Sequence, residues 1–128
     1  MNILIIDAAR DKILLVLIVD KNIYTCSHEN SKINFEKMII LINDFLEVNK
    51  SSLNEICDIY VNRGPGSFAG IRNSLATIKA LFLTKNIDYY CFSFDDFGKT
   101  REIKYEDVPN LCKKFKIKKN LINPIYLS

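Results

Sequence analysis

The sequence predicts an α/β fold on a mixed sheet with the element order βββαβαβ, and three observations carry that prediction. Three short β-branched runs at the start are separated only by turn-sized polar clusters, the pattern of an antiparallel meander. Beyond them, helical apolar periodicity alternates with short buried strands, which requires parallel, right-handed crossovers. A glycine-rich turn then joins one of those strands directly to a long helix.

Taken in order, the meander comprises Ile3–Asp7, Ile13–Val19 and Ile23–Cys26, with turns at Ala8–Lys12 and Asp20–Asn22. A helix is expected from Asn34 to Val48. Its apolar face is Phe35, Met38, Ile39, Ile42, Phe45 and Leu46, and Leu41 and Val48 widen that face beyond what one sheet needs. A strand from Ile56 to Val61, a helix from Ser67 to Lys85 and a strand from Asp88 to Phe94 follow. Tyr89, Tyr90, Phe92 and Phe94 read as alternating strand and core residues rather than a base-stacking platform. Composition shifts only after Gly98, where the chain turns lysine-rich, so residues 1–98 are expected to form one lobe and residues 99–128 a short basic appendage.

With 128 residues, 48% of them hydrophobic and 26% charged, the chain suits one domain with a modest core. A formal net charge of +3 is too small to indicate nucleic-acid binding by itself. Cys26, Cys57, Cys91 and Cys112 are widely spaced and His28 is the only histidine, which argues for reduced thiols and against a zinc site. The longest apolar run, Ile13 to Val19, is too short to span a bilayer, and Asp7 interrupts the one candidate signal segment. These features point to a cytoplasmic protein.

The turn Asn62-Arg63-Gly64-Pro65-Gly66-Ser67-Phe68-Ala69-Gly70-Ile71-Arg72 is the most specific string in the chain. Gly64 and Gly66 flank a proline, so the loop is able to take a positive φ, and Ser67 is placed to cap the helix that follows. Free amides of the first helical turn would favour an anion there, and Arg72 one turn on would pair with that anion or with an acidic partner. The competing reading is a tight turn without a ligand.

Read through Leu81, the string NRGPGSFAGIRNSLATIKAL resembles the signature of the TsaB (YeaZ) family, the bacterial non-catalytic partner in making threonylcarbamoyladenosine on tRNA. The opening Ile3-Leu4-Ile5-Ile6-Asp7 is similar to that family's first strand. Asn34-Phe35-Glu36 falls where the family often has His-Ser-Glu, and Ile87–Phe94 resembles its next strand. Pro124-Ile125-Tyr126-Leu127 resembles the tail of many members. The resemblance implies a ribonuclease H-like, actin-like (ASKHA) lobe, and the length leaves room for one such lobe with a remnant of a second. It also implies a non-enzymatic role without a cofactor: binding to a TsaD-like catalytic paralogue through the two helices, homodimerisation when alone, a TsaE-like ATPase in the same complex, and indirect contact with tRNA.

The second helix carries a small-residue face of Ala69, Ala76, Ala80 and Leu83 opposite a large apolar face of Phe68, Ile71, Leu75, Ile78 and Phe82, and no acidic residue lies between Asp58 and Asp88. A helix of that kind is covered on two sides, either by a partner or by the segment after Gly98 folding back. With the resemblance, the expected partner surface is Ala69, Asn73, Ala76, Ala80 and Leu83 on the second helix with Glu36, Leu41 and Val48 on the first.

Catalytic chemistry is poorly provided for. Where actin-like ATPases hold phosphates after the first strand, this chain has Asp7-Ala8-Ala9-Arg10, which retains a carboxylate but no hydroxyl. Paired histidines for metal-dependent hydrolysis are absent from the sequence, and Ser67 has no base beside it. An autonomous actin-like nucleotide binder or small kinase is therefore a secondary reading. A basic RNA-binding module is another, because eight Lys or Arg residues stand against three acids from Lys99 to Lys119, although such runs are most often a solvated face.

Overall fold

A computed structural model describes residues 2–98 and 102–126. Five strands, β1 (Asn2–Asp7), β2 (Lys12–Val19), β3 (Asn22–Glu29), β4 (Ile56–Asn62) and β5 (Asp88–Phe92), form one sheet in the order β3-β2-β1-β4-β5. The β1–β2 and β2–β3 pairs are antiparallel; β1–β4 and β4–β5 are parallel. This is the mixed sheet the sequence predicts, with the meander on one side and the crossovers on the other.

The expected first helix is two helices, α1 (Lys32–Glu36) and α2 (Met38–Val48), broken at Lys37. Helix α2 buries Met38, Leu41, Ile42, Phe45 and Leu46, a stripe with the three- and four-residue spacing of one helix face. Helix α3 (Phe68–Lys85) buries Ile71, Ser74, Leu75, Ile78 and Leu81 and ends at Asn86 in the left-handed conformation. β5 stops at Phe92, two residues before the expected end, because Ser93 caps a short 3-10 turn over Phe94–Phe97.

Strand alternation divides the interior. Leu4, Ile6, Leu15, Leu17, Ile59, Val61, Tyr89 and Cys91 face the helices. Ile5, Val16, Tyr60 and Phe92 face the other way, against Phe97, Val108 and Cys112. The last two belong to a helix the sequence did not announce, α4 (Val108–Lys114), with Pro109 in its first turn and Lys113 and Lys114 in its last. The part of the chain from Ile103 to Ile117 thus covers the face of the sheet opposite α1–α3, while Ala69, Ala76, Ala80 and Leu83 on α3 stay exposed. Lys99 and Arg101 of the basic run, and Leu127 of the tail, lie outside the described residues. The remaining lysines from Lys113 to Lys119 are exposed.

The four cysteines are free thiols. Burial pushes the Cys91 and Cys112 thiols up to about 12, so neither is a nucleophile near neutral pH. No described helix is long and apolar enough to cross a membrane.

Candidate functional site: the glycine turn and the outer helix face

The glycine turn sits where β4 ends, beside the end of β1. The Gly64–Pro65 bond is cis and Gly64 has φ +110°. A side chain on Gly64 would also meet the Ile125 carbonyl oxygen at 2.1 Å. Gly66, expected to need a positive φ, is required for a different reason: the Ala9 carbonyl oxygen lies 2.0 Å from where a Cβ would stand. The close approach is fixed by a hydrogen bond from Ser67 N to Ala9 O at 2.7 Å.

Ser67 caps α3 as expected, its hydroxyl accepting from Gly70 N at 3.2 Å. Gly64 N donates to Asn62 Oδ1 at 2.9 Å. The amides of Gly64, Ser67 and Gly70 are therefore occupied within the chain. Arg72 is exposed and its guanidinium lies 6.0 Å from the Phe68 ring centroid. The structure brings Gly64, Gly66 and Ser67 together as a structural turn, and Arg72 stands on the surface beside it.

Arg63, quoted in the motif but given no role from the sequence, is the hub of this region. Its guanidinium pairs with Asp96 at 2.7 Å and donates to Asn123 O at 3.0 Å, while its backbone carbonyl accepts from Ile125 N at 2.7 Å. The tail is thereby strapped to the loop, and Tyr126 packs on Phe68 with ring centroids 4.7 Å apart. The only signal for this in the sequence was an arginine set beside glycines.

Asp7 is buried, 2% exposed. One carboxylate oxygen accepts from Ala9 N at 3.1 Å, and the other accepts from the Tyr105 hydroxyl and lies 3.8 Å from Arg10 Nε. Burial, followed by the hydrogen bond to Asp7, raises the Tyr105 pKa above the usual phenol value and keeps the group a donor. A side chain of the chain itself thus takes one acceptor position of the strand-end carboxylate. Among the described residues, no group of three or more His, Cys, Asp or Glu side chains is placed to hold a metal ion.

The outer helix face is arranged mostly as expected. Ala69, Ala76, Ala80 and Leu83 are exposed in a row along α3, Asn73 is half-buried between them, and Leu83 is 70% exposed. Glu36 and Val48 are exposed as well, Val48 at 80%. Leu41 is a correction: at 7% exposed it belongs to the core stripe of α2, three residues after Met38 and four before Phe45 on the same helix face. Ile33 and Ile40 occupy the outer surface instead, and Phe68, assigned to the inner face of α3, is 53% exposed. Between α1 and α3 lies a shallow groove lined by Lys32, Phe35, Glu36, Ala69 and Asn73.

No family model matches the chain. The tRNA threonylcarbamoyladenosine biosynthesis protein TsaB of Buchnera aphidicola subsp. Baizongia pistaciae is 33% identical over an 87-residue alignment covering 58% of this chain and 39% of that relative. YeaZ from Pseudomonas aeruginosa superposes with a TM-score of 0.65 at 17% identity, covering 72% of this chain and 43% of that one. The chain is thus similar to one part of the TsaB/YeaZ proteins. It spans about two-fifths of the length of these family relatives. RuvC of Thermus thermophilus shares the fold alone, with a TM-score of 0.53 and 9% identity over 90% of this chain and 80% of that one. The mixed five-stranded sheet with helices packed on it is the fold these solved structures share with the chain.

Proposed function

We propose that this chain is a non-catalytic subunit in threonylcarbamoyladenosine formation on tRNA, which binds and stabilises or activates a TsaD-like catalytic paralogue through the outer faces of α2 and α3. The observation that carries the reading is the exposed row Ala69, Ala76, Ala80 and Leu83, flanked by Phe68 and Val48, on helices whose inner faces are already satisfied by the sheet. Small residues on a helix let another backbone approach closely, so large apolar groups from a partner are able to pack along α3. The name of the Buchnera relative supplies the pathway, and the occupied environment of Asp7 supports a role without chemistry of its own.

In this reading the chain works in the cytoplasm, forms homodimers through the same face when TsaD is absent, joins a complex that includes a TsaE-like ATPase, and meets tRNA only through its partners. In this reading the segment that holds Val108 and Cys112 serves as a cover for the face of the sheet opposite α1–α3. The test is co-expression with a TsaD from the same cell, followed by size-exclusion chromatography with mass determination. A co-eluting complex is expected; separate elution of two intact proteins would overturn the proposal.

A further inference from the structure

The parallel strands β1, β4 and β5 begin at the end of the sheet opposite Asp7, and a second polar cluster lies there. Between α4 and the sheet is an open cleft of about 530 Å³, a size that suits a small organic ligand. Asp58, Tyr60 and Tyr90 form its floor; Asn110, Lys113 and Lys116 line the side given by α4 and the turn after it.

The register explains the floor. β4 and β5 are parallel with Asp58 beside Asp88 and Tyr60 beside Tyr90, so two carboxylates and two phenols stand as neighbouring pairs on one face. The tyrosine rings stack with centroids 4.9 Å apart and planes 11° from parallel. The two aspartates are treated unequally. Asp88 is satisfied by Lys119 Nζ at 3.5 Å and by Asn120 Nδ2 at 2.9 Å. Asp58 has neither a hydrogen bond nor an ion pair at contact distance among the described residues, and burial and the neighbouring Asp88 raise its pKa. Neither tyrosine hydroxyl has a hydrogen-bonding partner among the described residues. Lys113 and Lys116 are exposed and make no ion pair there. Lys116 takes the left-handed conformation with φ 55°, a costly choice for a residue with a Cβ, at the point where the chain turns out of α4 along the cleft.

An unpaired carboxylate acceptor, an aromatic floor and two uncompensated ammonium groups are complementary to one kind of molecule: a flat heterocycle with N–H donors, joined to an anion. We infer that this cleft binds a nucleotide with its base against the tyrosines, its donor edge on Asp58 and its phosphate at Lys113 and Lys116. Guanine fits the carboxylate best, because its Watson–Crick edge offers two adjacent N–H donors to the two oxygens of one acid. The site requires no metal ion and is separate from the partner face on α3.

The test is calorimetric titration of the whole chain with guanosine monophosphate in the presence of a chelator. Saturable single-site binding with a dissociation constant below about 1 mM is expected, weakened about tenfold or more in Asp58→Asn and in the double variant Lys113→Ala/Lys116→Ala. Adenosine monophosphate, which presents an amine and an acceptor on that edge, is expected to bind more weakly. Asp58→Asn removes a repulsion with Asp88, so a melt is expected to show the variant at least as stable as the parent. Absence of binding, equal binding of inorganic phosphate, or loss in the lysine variant without loss in Asp58→Asn would overturn the base site. A short single-stranded RNA that binds both parent and Asp58→Asn equally would do the same, leaving only a charged surface.

Discussion

The two faces of the sheet are finished differently. One carries α1, α2 and α3, long enough to satisfy the sheet beneath them and still apolar on the outside. The other is closed by short turns and the seven-residue α4, whose Val108 and Cys112 are buried and whose lysines face water. On the second face the chain completes its own core. On the first it leaves Ile33, Ile40, Val48, Phe68 and Leu83 exposed after the core is complete. On the helix side an apolar residue is therefore either core or outward surface, and the proposed function assigns the outward ones to association.

That contrast predicts very unequal responses to the same change. Val108→Asp, which buries an unpaired carboxylate against the sheet, is expected to cost about 3–5 kcal/mol, read as a shift in urea midpoint. Leu83→Asp on the open side is expected to stay within about 0.5 kcal/mol of the parent. Equal losses would mean that the outer face of α3 is part of the core. Next in size is Gly66→Ala, expected to cost about 2 kcal/mol because its methyl would collide with the Ala9 carbonyl. An unchanged melting temperature would show that the loop relaxes away from β1.

Tyr105→Phe removes a donor from a buried carboxylate and is expected to cost about 1–2 kcal/mol near neutral pH. The pH dependence has a definite sign. The folded chain holds the Tyr105 proton more tightly than the unfolded chain, whose phenol titrates near 10.0, so this stability is intact below that value and is lost as pH rises above it. The variant is expected to show a shallower alkaline loss in a melt series, although Tyr60, also raised by burial, retains part of the slope. An identical slope would remove Tyr105 from the account. The smallest effect belongs to Asp44→Ala on exposed α2 surface, expected within about 0.5 kcal/mol in stability and without effect on association.

What could be read from the sequence follows the range of the interactions. The element order, the capping role of Ser67 and the outward row on α3 depend on period and on neighbours within one turn, and these were legible. Leu41 was misplaced because an apolar face widened toward half the helix does not show which of its edges the sheet covers; the covered edge includes Leu41, three residues after Met38 and four before Phe45. The true reason for Gly66, the hub at Arg63 and the contact of Tyr105 with Asp7 all join residues distant in the chain. α4 escaped notice because a seven-residue helix within a lysine-rich stretch shows only Val108, Leu111 and Cys112 as a pattern, too little to separate from a solvated run. The unequal treatment of Asp58 and Asp88 depends on where Lys119 and Asn120 come to rest, which no local rule specifies.

The central claim is that the small face of α3 is a binding surface and not core, and Ala76 lies in the middle of it. The most direct measurement is titration of Ala76→Arg into purified TsaD beside a circular-dichroism melt of the same variant. The account predicts a melt like the parent's and an affinity reduced by about thirtyfold to a thousandfold, the loss for a close-packed contact that acquires a long, unpaired charge. A folded variant that binds TsaD as tightly as the parent, or one that no longer folds, would contradict it.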